Sequence, residues 1–304
     1  MLINAANNNV PKAPVKAANK PAVVAAKPAP AGDTLATTAP THADGDANGV
    51  AFRTTEPAGK PKAIVVMQQG TYGQPAYWDG MGEKLAASGI KSYALGSRVE
   101  TARYGLHAED LDKVVAKARA ENPGVPVTVM GVSLGADIAM DWSAEHNPDH
   151  LPVVLMSPVV LPKYLGPIDL AKVAIGLLIP PLGKRWKVHS PMSKGAKLTT
   201  NPASMEDHLP NAKGMKVPAN LFDDVVKMAT KTVLHGRSMS GSLLVLEAGA
   251  DEVALNPITG PFTKLIGSKD KQIKRFPGAA HDLSQEYHRK DVVDALSGFV
   301  LASR

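Results

Sequence analysis

A serine stands between two glycines in the run Gly131–Gly135, which reads G-V-S-L-G. The run follows an apolar segment typical of a buried strand, 127–130, and it leads into a segment typical of a helix, 136–146. A chain that turns sharply from strand to helix exposes the side chain at the turn, and small neighbours make such a turn possible. The pattern therefore predicts that Ser133 is a nucleophile for acyl transfer.

A serine hydroxyl needs a general base, and His281 is the best placed of the nine histidines. It follows the last predicted strand, 272–275, in a loop that reads P-G-A-A-H-D. A loop at the carboxyl end of a parallel strand lies at the same sheet edge as Ser133. Six other histidines lie on helix faces or in polar segments, where solvent or local partners account for them: His107, His146, His150, His208, His235 and His288.

Asp251 is the predicted carboxylate that orients this histidine. It directly follows the predicted strand 243–246, so the chain order is serine, aspartate, histidine, which is one of the known orders of such a triad. Glu252 is the nearest substitute, one position along the chain. Asp282 adjoins the histidine but points away from it in a regular loop.

Two backbone N–H groups are predicted to stabilise the charge that develops on the acyl oxygen. One belongs to Leu134, the residue after the serine. The other belongs to Thr71, in the loop after the predicted strand 63–67, where Gly70 permits the chain to bend. The alternative for that loop is a plain glycine turn.

Strand-like and helix-like segments alternate from residue 60 onward. This alternation predicts an α/β fold with a mostly parallel sheet covered by helices on both faces. The predicted strands cover 63–67, 92–95, 127–130, 153–156, 243–246 and 272–275, and the predicted helices cover 74–88, 107–120, 136–146 and 290–301. A β-hairpin is predicted upstream of this region. Its two strands cover 35–38 and 50–55, and a polar turn at 43–49 lies between them.

The chain is predicted to have three regions. Residues 1–34, rich in alanine, proline and lysine, form a disordered tail. Residues 35–157 and 242–304 form the α/β core. Residues 158–241 form a helical cap, because they contain helix candidates at 170–178 and 220–234 and no clear strand.

Composition argues against several classes of function. The 304 residues include no cysteine, which excludes disulfides, thiolate metal sites and a cysteine nucleophile, and no metal site is predicted. Residues 1–32 contribute +4 of the net charge of +6, so the remainder carries only +2 and no nucleic-acid binding is predicted. The longest apolar run, 173–179, is far shorter than the roughly 18–20 residues of a membrane span. Without a recognisable signal peptide, the expected location is cytoplasmic.

The strand, helix and loop motifs of this chain together resemble those of the serine α/β-hydrolases. The resemblance is strongest to the group of monoacylglycerol lipases, lysophospholipases and serine aminopeptidases. The resemblance runs from about residue 35 to residue 304. The matching segments are Lys62–Gly70, Trp78–Lys91, Val127–Gly135, Ala248–Val253 and Pro277–Leu283.

The resemblance implies an eight-stranded, mostly parallel sheet with an antiparallel first hairpin and a cap after the sixth strand. It also implies no cofactor, a triad of Ser133, Asp251 and His281, and oxyanion donors at Thr71 and Leu134.

Two segments depart from the family pattern. Gln69-Gly70 stands where the family usually has His-Gly, but the donor in that loop is a backbone N–H, so activity need not suffer. Residues 96–100 read G-S-R-V-E where the family usually has Asp-x-Arg-Gly-His-Gly. The second departure weakens a plain monoacylglycerol lipase assignment.

The leading hypothesis is a hydrolase that cleaves small-molecule esters with an apolar acyl group through an acyl-enzyme. The first alternative is an aminopeptidase or amidase of the same fold. It would need acidic groups in the cap to hold a free amine, and the candidates are Glu206, Asp207, Asp223 and Asp224. The second alternative is a non-catalytic binding protein. A dehalogenase or epoxide hydrolase is disfavoured because Ser133 stands where those enzymes need an aspartate. The oligomeric state is left open.

Overall fold

The computed structural model describes residues 39–71, 73–97, 104–159, 163, 168–169, 171–172, 175, 179–189, 196–205, 216–218 and 235–303. Ten strands are described: β1 (Thr41–Asp46), β2 (Ala51–Glu56), β3 (Ala63–Gln68), β4 (Ile90–Leu95), β5 (Val127–Val132), β6 (Val153–Met156), β7 (Lys187–His189), β8 (Lys216–Pro218), β9 (Leu243–Ala248) and β10 (Lys271–Phe276). The helices are α1 (Asp79–Ala87), α2 (Tyr104–Glu121), α3 (Leu134–Glu145), α4 (Pro180–Arg185), α5 (Pro202–Met205), α6 (Asn256–Leu265) and α7 (Lys290–Ala302). Short 3₁₀ turns cover Pro75–Trp78 and Leu283–Gln285.

Eight of these strands form one sheet in the order β1-β2-β4-β3-β5-β6-β9-β10. The pairs β1–β2 and β2–β4 are antiparallel, and every later pair in this sheet is parallel. The expected eight-stranded, mostly parallel sheet with an antiparallel first hairpin is therefore confirmed. The parallel strands bring the chain turns that follow β3, β5, β6, β9 and β10 to one edge of the sheet.

Helices bury both faces of the sheet. All residues of β3, β5 and β6 are buried, as expected for central parallel strands covered on two sides. One core layer joins the sheet to α2, α3 and α6, and Leu111, Ile138 and Phe262 belong to it. The other joins the sheet to α1 and α7, and Leu85 and Leu296 belong to it.

The helix predicted over 107–120 is confirmed by α2, which buries the side chains of Leu111, Val114, Val115 and Ala118 on one face. Helix α1 ends at Ala87, one residue before the predicted end at 88, and it begins at Asp79, after the 3₁₀ turn, rather than at 74. Gly89 follows with a φ of 83°, a conformation that glycine adopts without strain.

The first hairpin differs from the sequence expectation. Residues 35–38, predicted as its first strand, lie outside the described residues. Strand β1 instead covers Thr41–Asp46, most of the predicted turn, and the chain reverses at 47–50. The prediction was wrong because β1 is an edge strand that pairs through its backbone and leaves most of its polar side chains exposed, so its composition resembles that of a turn.

The region 158–241 contains two short strands, contrary to the expectation of none. Strands β7 and β8 pair antiparallel with each other as a separate two-stranded ribbon. Three residues are too few for a period-two pattern to be recognised in sequence. The helix candidate 220–234, and most of 170–178, lie outside the described residues. No helix among the residues described is long and apolar enough to cross a membrane.

Helix α6 was also missed. It contains Pro257 in its first turn and Pro261 within it, and proline inside a run is normally a sign of loop. Burial of Phe262 and Ile266 against the sheet outweighs that local preference.

Candidate active site

Ser133 occupies the sharp turn between β5 and α3. Its φ of 55° and ψ of −126° lie outside the helix and strand regions, so this is a strained backbone. Two backbone hydrogen bonds hold the turn. The N–H of Ser133 donates to the carbonyl of Met156 at 2.9 Å, and the Ser133 carbonyl accepts from the N–H of Ala136 at 2.9 Å.

The two glycines beside the serine are required by packing. A Cβ atom at Gly131 would lie 1.9 Å from the carbonyl oxygen of Gly135. A Cβ at Gly135 would lie 2.3 Å from the carbonyl oxygen of Gln68, at the end of β3. Both obstructions are backbone atoms that cannot rotate aside, so only glycine allows helix α3 to start this close to β3.

The structure brings Ser133, His281 and Asp251 together. The Nε2 atom of His281 lies 2.8 Å from the Oγ atom of Ser133, and its Nδ1 atom lies 2.8 Å from Oδ2 of Asp251. The histidine and aspartate side chains are both buried. A histidine with one nitrogen on a carboxylate and the other on a hydroxyl has the geometry of a general base.

Asp251 is held in place by its own loop. Its Oδ1 atom accepts hydrogen bonds from the N–H groups of Val253, at 2.7 Å, and Ala254, at 2.8 Å. Its Oδ2 atom is therefore left for His281. Glu252, the substitute considered from sequence, instead accepts from the N–H of Lys197 at 2.8 Å.

The electrostatics favour an ion pair when the histidine is protonated. Burial lowers the pKa of His281, but the charge of Asp251 and its hydrogen bond outweigh burial, so the net shift is upward. Burial raises the pKa of Asp251, but His281 and the two N–H donors outweigh it, so the net shift is downward. The carboxylate thus remains charged and stabilises an imidazolium.

Adjacent strands place these two residues. Strands β9 and β10 are parallel neighbours, and the loops that follow them carry Asp251 and His281. The N–H of Ala250 donates to the carbonyl of Ala279 at 2.9 Å, which ties the two loops together directly. The sequence position of each residue after a strand is what made both predictable.

The loop after β3 passes beside the serine. A Cβ at Gly70 would lie 2.9 Å from the Cβ of Ser133 and 3.4 Å from its Oγ, so the backbone at Gly70 passes close to the Ser133 side chain. Thr71 is the next residue. The Nε2 group of Gln68 donates to the carbonyls of Gln69 and Gly96, both at 3.1 Å, and so fixes the loop.

Leu134 is the first residue of α3. Its N–H is one of the first four of the helix, which have no acceptor within the helix and are available to a ligand. The structure thus places both expected oxyanion donors, Thr71 and Leu134, in segments that adjoin Ser133.

One segment of the region 158–241 contacts both loops of the site. We call residues 197–201 the clamp. The N–H of Lys197 donates to Glu252, next to Asp251, and the carbonyl of Leu198 accepts from the N–H of Asp282, next to His281, at 2.7 Å.

The other end of the clamp binds Glu286, whose side chain is fully buried. Its carboxylate accepts from the hydroxyl of Thr199 at 3.1 Å and from both the N–H and the hydroxyl of Thr200. The amide of Asn201 donates to the carbonyl of Gln285 at 2.9 Å. Sequence reasoning missed this cluster, because an isolated glutamate in a polar loop carries no signal of burial.

A second buried acid also escaped the sequence analysis. Asp137 lies one turn after Ser133 on α3 and is fully buried. Burial, and then the charge of Asp141, raise its pKa well above the ordinary value, which favours the neutral acid. The signal in sequence was an acid within an otherwise apolar helix segment.

The other candidates have different surroundings. His235 pairs with Asp141 at 3.1 Å, and His150 contacts Ser240 at 2.7 Å. His208 lies outside the described residues, as do the four acids considered for amine binding: Glu206, Asp207, Asp223 and Asp224.

The chain is similar to one protein family and to several known proteins. The model of a family described as serine aminopeptidase, S33, matches residues 59–288. A monoacylglycerol lipase of Mycolicibacterium smegmatis is 21% identical over 253 residues, which cover 80% of this chain and 89% of that protein. The human monoglyceride lipase is 24% identical over 243 residues, covering 76% of this chain and 79% of that protein.

A solved structure with a similar fold is the monoacylglycerol lipase of Paleococcus ferrophilus. It superposes with a TM-score of 0.62 at 18% identity and covers 86% of this chain and 98% of that chain. At this level of identity the likeness shows the fold.

Proposed function

Because the chain belongs to the serine aminopeptidase S33 family of hydrolases, we propose that it cleaves carboxylic esters with an apolar acyl group. The expectation of a hydrolytic enzyme is confirmed at the level of the family. The choice of ester as substrate is supported by relatives named as monoacylglycerol or monoglyceride lipases that align over most of their length.

The single observation that carries the proposal is the hydrogen-bonded path from Ser133 through His281 to Asp251, with both contacts at 2.8 Å. In the proposed first step the Oγ of Ser133 attacks the acyl carbon, and His281 Nε2 takes the hydroxyl proton. Asp251 keeps Nδ1 protonated and stabilises the imidazolium. The N–H groups of Thr71 and Leu134 hold the oxyanion.

The intermediate collapses when the alcohol leaves with the proton that His281 carries, and Ser133 remains acylated. Water then attacks the acyl group, and His281 takes a proton from that water. The acid product leaves and the proton returns to Ser133. The balance is one ester and one water consumed, with one alcohol and one acid formed.

The test combines active-site labelling with two substitutions. A fluorophosphonate probe should label Ser133, and Ser133→Ala should abolish labelling and lower ester turnover by roughly 10³-fold or more. His281→Ala should cost about as much, because the two residues act as a unit. Near-normal turnover by purified Ser133→Ala protein would refute the proposal. A panel of p-nitrophenyl esters of increasing chain length would then define the acyl preference.

An aminopeptidase is the second candidate, because the description of the matching family names that activity. The two candidates differ in leaving group and in the need for an amine-binding acid. Turnover of an aminoacyl naphthylamide well above that of p-nitrophenyl esters would favour the peptidase.

A further inference from the structure

We infer that Glu286 is a positioning residue: through the clamp, it holds together the loops that carry Asp251 and His281. The inference rests on the proposed function and goes beyond it, since Glu286 touches none of the three residues proposed for catalysis. A carboxylate fully removed from water is destabilising unless hydrogen bonds replace its hydration.

The hydrogen bonds that the structure describes on the carboxylate all come from one segment. Three donors of the clamp, two on Thr200 and one on Thr199, bind the Glu286 carboxylate. The ring of His288 lies beyond hydrogen-bond distance, with 3.9 Å between its Nε2 and Oε2 of Glu286, and it is exposed. The acid is thus bound mainly to the clamp, and the clamp loses its anchor if the acid is removed.

The opposite end of the clamp, away from Glu286, binds the two loops that carry Asp251 and His281. Two consecutive residues, Lys197 and Leu198, bind Glu252 and Asp282. These partners are the immediate neighbours of Asp251 and His281. Movement of Lys197 and Leu198 would therefore change the distance between Asp251 and His281 before it changed other contacts of the site.

The alternative is that the cluster merely stabilises the fold. The two roles differ in what they predict for His281. Asp251 is the main group that raises the histidine pKa, and Asp282 adds to it. A looser Asp251–His281 contact would return that pKa toward the ordinary value. A general loss of stability would leave the pKa of the folded molecules unchanged.

The experiment compares three variants of the full chain. Glu286→Ala removes the anchor, whereas Glu286→Gln keeps an oxygen acceptor and offers an N–H to the Thr200 hydroxyl. Leu111→Ala is the matched control. Leu111 is buried on α2 in the core layer that joins the sheet to α2, α3 and α6, a cluster that includes no residue of the clamp, and its truncation lowers stability.

Glu286→Ala should lower kcat/KM on a p-nitrophenyl ester by about 10–100-fold, the size of effect that a small misplacement of reacting groups produces. The acidic limb of its kcat/KM profile should move to lower pH. Glu286→Gln should retain most of the activity with the limb in place, which also excludes loss of the charge itself as the cause. Leu111→Ala should lower Tm with an unmoved limb.

Hydrogen exchange gives a readout that does not depend on turnover. Peptides that cover residues 196–201 and 281–286 should exchange faster in Glu286→Ala than in Leu111→Ala protein. If Glu286→Ala fails to fold, Thr200→Val, which removes one donor and keeps the shape, takes its place and should show the same changes to a smaller degree.

Equal exchange and an unmoved acidic limb in Glu286→Ala would overturn the inference. Failure of the proposed function has a different signature: the wild-type protein would neither label at Ser133 nor turn over esters, while the exchange comparison would still test the clamp.

Discussion

At the scale of single residues, the assignment of the acid is the sharpest question, because Asp251 and Glu252 are adjacent and carry the same charge. Their surroundings separate them. Asp251 faces His281, whereas Glu252 faces the backbone of Lys197. The structure thus gives each acid a different partner.

Asp251→Asn should keep the shape of the side chain and lose the charge that stabilises the imidazolium, at a cost of up to about 10⁴-fold in ester turnover. Glu252→Gln should cost far less, because the amide oxygen still accepts from Lys197. The two variants are assayed side by side on one activated ester. A larger loss in Glu252→Gln would move the acid by one residue, and no loss in either would require another carboxylate.

The pH dependence follows from the same pair. A general base works only when neutral, so activity falls as pH drops through the pKa of His281. Because Asp251 raises that pKa above the ordinary value of about 6.5, the acidic limb of kcat/KM should have its midpoint above pH 6.5. In Asp251→Asn the midpoint should fall. A wild-type midpoint below 6.5 would contradict the predicted direction.

At the scale of elements, the elbow depends on contact between helix α3 and strand β3. Gly135→Ala places a methyl group 2.3 Å from the carbonyl oxygen of Gln68 and 2.7 Å from that of Gln69. We expect a loss of about 1–3 kcal/mol in the free energy of unfolding, typical of overpacking, together with reduced ester turnover, since the loop before Thr71 is displaced.

Gly298→Ala in helix α7 is the matched control for this prediction. A Cβ at Gly298 meets no atom within 4 Å, so this substitution should raise stability by roughly 0.5–1 kcal/mol. Chemical denaturation of both variants measures the contrast. Equal stability changes would show that the close approach at the elbow does not constrain the fold.

The elements differ in how well sequence predicts them, for physical reasons. Strands such as β3 and β5 are buried on both faces and are therefore continuous apolar runs. Strand β1 has a polar composition and helix α6 contains a proline, so both violate local preference. Backbone pairing with β2 determines the structure of β1, and packing of Phe262 in the core determines that of α6.

The candidate site shows the same division. The proximity of Ser133, Asp251 and His281 was predictable because each lies in the turn or loop that follows a recognisable strand. Glu286 and the clamp were not, because the contacts between them join segments more than 80 residues apart, such as the 86 between Thr200 and Glu286. No local pattern records a contact of that kind.

At the scale of the whole molecule, the tail is predicted to be dispensable. Residues 1–32 contain five prolines and few large apolar side chains, so they cannot bury enough surface to offset the entropy of ordering. Their deletion should leave Tm and ester turnover within error. A loss of several degrees in a thermal melt would mean that the tail binds the body of the protein.

The hydrogen bond between Ser133 and His281 joins residues that are 148 positions apart. During synthesis at roughly 5–20 residues per second, about 7–30 s separate the appearance of the serine from that of the histidine. Strands β3, β4 and β5, which precede the serine or end beside it, are already made in that interval. In the proposed mechanism, a nascent chain on the ribosome therefore carries the serine without its base, and it gains that base only when β10 and the loop that follows it have been translated.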